Sequence, residues 1–278
     1  RRPPDDTRTR IGPPDAVPRY KLMVEYDGGP FVGWQRQPNG PTIQAALEDA
    51  IFAMSGVRVG VQGAGRTDSG VHALGQVAHF DLVDEMPAAK VQAALNFHLK
   101  PNPISLPSVE IAPADFHARF SATWRRYRYR ILNRRAPPTL DRGHVWHVPA
   151  GLDLEAMAEA ASVLQGHHDF NSFRSTACQA PSSIRTLDLF RVRRDGAEIH
   201  IDVGARSFLH NQVRVLVGTL RLVGRGQWSR RDVEEALAAR DRTRGGPTAP
   251  PEGLCLMDVR YDLGADQGGD AEIASDEE

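Results

Sequence analysis

Residues 20–26 read YKLMVEY, with Tyr20, Leu22, Val24 and Tyr26 alternating against Lys21, Met23 and Glu25. A period of two puts the apolar set on one face of an extended chain, so this stretch is a half-buried strand. Working outward, Thr42 is placed to cap a helix whose apolar positions Ile43, Leu47, Ile51 and Met54 recur at three- and four-residue steps. A strand carrying Val57, Val59 and Val61, a strand from Gln76 to Leu82, a helix over Ala88–Leu99 and a strand over Ser108–Ala112 follow. Strand, helix, strand, strand, helix, strand is the ferredoxin-like order. It occurs a second time in a strand at Thr123–Leu132, a helix at Leu154–Leu164, strands at Ile184–Arg194 and Glu198–Val203, a helix at Leu209–Val223 and a strand at Leu256–Tyr261. An added helix after Ser229 has Asp232 at capping-box spacing. The chain is predicted to be α+β, with two ferredoxin-like halves (residues 19–116 and 117–263) whose antiparallel sheets face a shared cleft.

Composition is that of an ordinary globular protein, 41% hydrophobic and 25% charged over 278 residues. No apolar run reaches the roughly 18 to 20 residues of a membrane span, and the polar beginning lacks a signal-like stretch, so a cytoplasmic protein is expected. Two cysteines, Cys178 and Cys255, are too few for a disulfide framework or a cysteine zinc site. Residues 1–18 hold five prolines without apolar periodicity, and residues 264–278 carry six acids and no base. Both are expected to be disordered. Between these tails the body carries a mildly basic balance, and 31 of the 34 basic residues are Arg, whose planar fork suits phosphate.

Two stretches concentrate chemistry. Residues 63–73, GAGRTDSGVHA, place Asp68 and Arg66 in a loop with Gly63, Gly65 and Gly70. Glycine frees the backbone for close approach or positive φ, and Arg66 can favour the ionised carboxylate by charge and hydrogen bonding. The glycines do not form a phosphate loop, because Asp68 stands where GxGxxG needs glycine and an alternating strand follows instead of a helix. The second stretch sets seven arginines between Arg119 and Arg135, with Arg126, Arg128 and Arg130 on one strand face and Tyr127 and Tyr129 on the other. It reads either as a solvated, protected edge or as a phosphate-binding stripe, in which a tyrosine can stack on a nucleobase. The histidines, among them His72, His79, His117, His167 and His168, follow neither the HExxH pattern nor that of the zinc deaminases, so no metal is predicted.

GRTDSGVHA resembles the signature of the tRNA pseudouridine synthase A family. In order around it stand further family-like blocks: Tyr26-Asp27-Gly28, Gly33-Trp34-Gln35-Arg36-Gln37, the run from Asp115 to Ala122 leading into Tyr127-Arg128-Tyr129, and Phe208-Leu209-His210-Asn211-Gln212-Val213-Arg214 leading into Val217-Gly218-Thr219-Leu220. The resemblance spans residues 19–263. It implies an enzyme without cofactor, acting as a homodimer on uridines 38 to 40 of the tRNA anticodon arm. It also implies that Asp68 is the catalytic aspartate, that Arg214 pairs with it across the cleft and that Tyr127 packs on the target base. Arg36, Arg126 and Arg128 are expected to meet phosphates. The stretch from Asn96 to Pro103 departs from the family pattern, one residue longer and without its acid. The reading from another class is a noncatalytic RNA-binding or RNA-folding protein; the anionic loop argues against it.

Overall fold

The computed structural model describes residues 17–262; the two expected disordered tails fall almost wholly outside the described residues. The first half supplies β1 (Arg19–Tyr26), α1 (Ile43–Ser55), β2 (Gln62–Gly63), β3 (His72–Asp81), α2 (Ala88–His98) and β4 (Ile104–Ala112). The second supplies β5 (Ala122–Leu132), β6 (Trp146–His147), α3 (Leu154–Leu164), β7 (Gly166–Asp169), β8 (Ile184–Asp195), β9 (Glu198–Ala205), α4 (Gln212–Gly224), α5 (Arg230–Ala239) and β10 (Leu254–Tyr261). The architecture is α+β.

Local chemistry sets most boundaries. The Thr42 hydroxyl accepts from the Ala45 N–H at the start of α1, and Gly56 ends the helix in the left-handed region at φ 73°. Ser229 and Asp232 form the reciprocal capping box of α5. Two expectations give way. Of the strand anticipated around Val57–Val61, only Gln62 and Gly63 pair, with His79 and Ala78 of β3. In this antiparallel register the residues before Gln62 run toward Phe80 and Asp81, where β3 ends, so Val57 and Val59 fall beyond it. The helix anticipated from Leu209 begins at Gln212, because Asn211 stands at φ 60°. The departure at 96–103 turns through a cis Lys100–Pro101 bond and is held by Asn96, whose side chain both donates to and accepts from Leu106.

The strands run in the order β4-β1-β3-β10-β5-β9-β8-β7, with β2 added to β3 and β6 to β5. This is one continuous sheet, not the two facing sheets anticipated. Every neighbouring pair along that order is antiparallel except β10 with β3, where Cys255 and Leu256 lie parallel to His72 and Ala73. That short parallel junction stitches the second half to the strand that follows the Asp68 loop. The inward residues of β1 (Tyr20, Leu22, Val24) join Ile43, Leu47 and Leu95 of α1 and α2 in the core, and Tyr129 and Ile131 of β5 join the same core with Met157 and Leu216 of α3 and α4. The alternate residues line the other face, where Met23, Glu25 and Leu74 are exposed. No helix described is long and apolar enough to cross a membrane.

Candidate active site

The Asp68 loop is shaped by close contacts that most side chains would prevent. A Cβ on Gly63 would meet the Trp34 ring at 2.6 Å, and Gly70 sits at φ 77°. Thr67 is buried, its hydroxyl bonded to the Tyr26 hydroxyl at 2.8 Å, and its carbonyl accepts from the Trp34 N–H at 3.1 Å. From the other side, Gln76 donates to the Gly65 carbonyl at 2.9 Å. Arg125 donates to the carbonyls of Ala64, Arg119 and Arg206. It is buried with no carboxylate beside it among the described residues, and burial pushes its guanidinium below the ordinary arginine value. So Arg125 ties the Asp68 loop to the second half.

These contacts leave Asp68 pointing into a cleft of about 860 Å³ between the two halves, on the helix side of the sheet. Its side chain is 26% exposed, and each of its oxygens is approached by a side-chain nitrogen from the stretch at the start of α4. Oδ2 lies 3.3 Å from Arg214 Nη1, and Oδ1 lies 3.4 Å from His210 Nε2. Arg214 is itself fixed, donating from Nε to the Ala249 carbonyl at 2.8 Å and from Nη1 to Asn211 Oδ1 at 3.0 Å. Tyr127 lines the same cleft, its ring edge-on to Phe208 with centroids 5.3 Å apart. Burial, with the nearby Asp68 charge, pushes the Tyr127 hydroxyl well above its ordinary value and keeps it neutral.

The predicted residues thus divide. Asp68, Arg214 and Tyr127 come together, and Arg66 lines the cleft but is exposed and makes no ion pair with Asp68. Arg126 and Arg128 do not join them: strand alternation sends both to the opposite face, where Asp258 takes Arg126 at 2.8 Å and Asp202 takes Arg128 at 2.9 Å. Arg130 on the same row meets Glu198 at 2.7 Å and Asp141 at 3.0 Å, and the guanidinium holds the Glu198 carboxyl below its usual range. The Arg126 and Arg128 guanidiniums, expected to meet phosphate, are each already matched to a carboxylate here, which leaves them little charge for that contact. Arg36 is occupied likewise by Glu48 at 2.7 Å, outside the cleft. What sequence reasoning missed is His210, together with Arg119 and Arg185 on the cleft wall. His210 lay inside a quoted block, four residues before Arg214, but nothing in the spacing said that it faces Asp68.

A separate group, Asp27, His72 and His144, has ligand atoms close enough together for a metal ion. Both ring nitrogens of His72 are already engaged. Nδ1 accepts from the Gly28 N–H at 3.0 Å, which leaves Nε2 to donate to the Gly143 carbonyl at 2.9 Å. Burial, with the His144 charge, holds this imidazole below its ordinary value. The group ties the 143–144 loop to the start of β3.

A carboxylate gripped by a guanidinium across a cleft, beside a neutral aromatic ring, suits nucleophilic chemistry on a flat ring held in place. The chain's relatives bear on the same point. A profile for tRNA pseudouridine synthase matches residues 22–121 and 160–262. The chain is 55% identical over 253 residues to tRNA pseudouridine synthase A of Paramagnetospirillum magneticum, covering 91% of this chain and 99% of that protein. It is 59% identical over 243 residues to the protein of that name from Rhodospirillum centenum (87% of this chain, 99% of the relative). With the one from Afipia carboxidovorans it shares 57% identity over 245 residues (88% of this chain, 100% of the relative). Matches of this length, spanning both walls of the cleft, establish that the chain belongs to the tRNA pseudouridine synthase family, a family of isomerases.

Proposed function

We propose that the chain converts uridines 38 to 40 of the tRNA anticodon arm to pseudouridine, with the Asp68 carboxylate as nucleophile. The observation that carries this reading is the Asp68–Arg214 pair at the floor of an open cleft, with the Tyr127 ring beside it. In the reaction an Asp68 oxygen bonds to C1′ while the C1′–N1 bond breaks, its electron pair going to N1. The uracil turns in place, C5 bonds to C1′, and the carboxylate leaves. The C5 hydrogen departs as a proton and N1 gains one, so the product is an isomer and no redox step is needed. Tyr127 supports the detached ring by stacking. Arg66, Arg119 and Arg185 face the RNA backbone. By resemblance the enzyme works as a cytoplasmic homodimer. The strand orders β4-β1-β3-β2 and β10-β5-β9-β8 support a division into two ferredoxin-like halves near residues 116–117.

The test is to incubate Asp68→Asn and the parent with tRNA transcripts and to map pseudouridine. The variant is expected to lose turnover by at least about a thousandfold while tRNA affinity stays within a few-fold. Turnover within about tenfold of the parent overturns the nucleophile, and modification confined to another arm of tRNA overturns the anticodon assignment.

A further inference from the structure

We infer that His210 carries the proton that isomerisation moves from C5 to N1 of the uracil, an inference that rests on Asp68 as the nucleophile. The two Asp68 oxygens are not equivalent. Oδ2 faces Arg214, which neutralises it, and Oδ1 faces His210 Nε2 at 3.4 Å, longer than an ordinary hydrogen bond. The oxygen without a guanidinium keeps the more available electron pair, so C1′ approaches on the Oδ1 side and His210 borders the reacting centre. Its placement is built in. The Ser175 N–H donates to the His210 carbonyl at 2.8 Å, the Gln212 side chain accepts from the Leu209 N–H at 2.8 Å, and the left-handed Asn211 turns the chain immediately afterwards. The imidazole itself is 46% exposed and free to meet substrate.

The proton count requires such a group. When C5 bonds to C1′, the ester bond from Asp68 to C1′ breaks and its electron pair returns to the carboxylate. C5 then bears both the new bond and its original hydrogen. The C5–H bond breaks, its electrons restore the ring double bond, and the proton passes to Nε2. N1 left the sugar with the electron pair of the old glycosidic bond and takes that proton back from the imidazolium, so His210 ends as it began. The other candidates along the cleft are less suited. Asp68 is bonded to C1′ until C5 attacks, and Tyr127 is held neutral by burial. Arg66, Arg119, Arg125, Arg185 and Arg214 remain cations at any working pH and disfavour a second positive charge near them. Histidine is the side-chain type that exchanges a proton near neutral pH.

The experiment uses tRNA transcripts carrying tritium or deuterium at uracil C5 and follows hydrogen release against pH for the parent, His210→Gln and His210→Ala, with melting curves to verify folding. His210→Gln keeps a polar side chain but cannot carry the proton. It is expected to lower kcat by about a hundredfold, to flatten the acid limb of the parent profile, and to expose a C5 deuterium isotope effect on kcat that the parent lacks. Turnover within about threefold of the parent overturns the proposal. So does a larger loss with the acid limb and isotope effect unchanged, which marks a structural role. A parent that is active and an Asp68→Asn that is dead leave the nucleophile standing in either case; an inactive Asp68→Asn alone says nothing for His210.

Discussion

Arg66 and Arg214 show at the scale of single residues how little sequence distance says about who meets a carboxylate. Arg66 is two residues from Asp68 but is exposed, because Thr67 between them turns inward to the Tyr26 hydroxyl. Arg214, 146 residues away, makes the contact and holds it with bonds to Ala249 and Asn211. The two should therefore fail differently. Arg214→Lys loses the fork that spans Asp68, Asn211 and Ala249, and is expected to lower kcat about a hundredfold with KM little changed. Arg66→Ala is expected to act mainly on KM, and steady-state kinetics on a tRNA transcript separate the two. A third residue answers to pH. Burial, aided by the Arg19 charge, pushes His79 down to about 4. Its Nδ1 accepts from the Ala118 N–H at 3.2 Å, which needs the neutral ring. An unfolded chain takes up that proton near 6.5, so between about 6.5 and 4 the unfolded state binds more protons. Stability is present in full above pH 6.5 and is lost as pH falls toward 4. Denaturant melts across that window are expected to show the loss in the parent and a flatter profile in His79→Gln.

At the scale of elements, α4 matters most through the turn that precedes it. Its apolar stripe was legible from Leu209 onward, since Leu209, Val213, Leu216, Leu220 and Val223 share one face, and all five are buried. Its true start was not legible, because a left-handed residue is a backbone choice that periodicity does not report. Asn211 at φ 60° separates His210 from the helix and lends Oδ1 to Arg214. Asn211→Ala is expected to destabilise the protein by about 1 kcal/mol and to lower kcat about tenfold. Asn211→Gly restores the backbone freedom but not the oxygen, so thermal melts should recover while kcat does not. If both recover, the Asn211 oxygen plays no part in holding Arg214. The same limit explains β2. Val57, Val59 and Val61 alternate as a strand should, yet in the register that pairs Gln62 with His79 the first two lie past the end of β3 at Asp81 and have no strand to join.

For the whole molecule the decisive feature is that the sheet has two unlike faces. On one, Arg126, Arg128 and Arg130 are matched to Asp258, Asp202 and Glu198. On the other, Arg66, Arg119 and Arg185 line the cleft with no carboxylate paired to them among the described residues. Arg119→Ala and Arg185→Ala are expected to reduce the salt slope of tRNA binding by about one unit each. Arg126→Ala and Arg128→Ala are expected to leave that slope unchanged, with Arg128→Ala costing about 2 kcal/mol in stability because it leaves the buried Asp202 carboxylate only the longer contact with Arg193 at 3.9 Å. Binding isotherms across a salt series, read beside melts, check both halves of this expectation. By itself the sequence determined the alternation of β1 and β5, the helix stripes, the caps at Thr42 and Ser229, and the Asp68 loop. Each is written within a few residues and follows from local periodicity or a local hydrogen bond. Tertiary packing alone put both halves into one sheet through the β10–β3 junction, brought His210 to Asp68 beside the Arg214 that the resemblance implied, and turned the arginine row away from it. Alternation tells which side chains share a face; which face meets the Asp68 loop is set by packing between segments far apart in the chain.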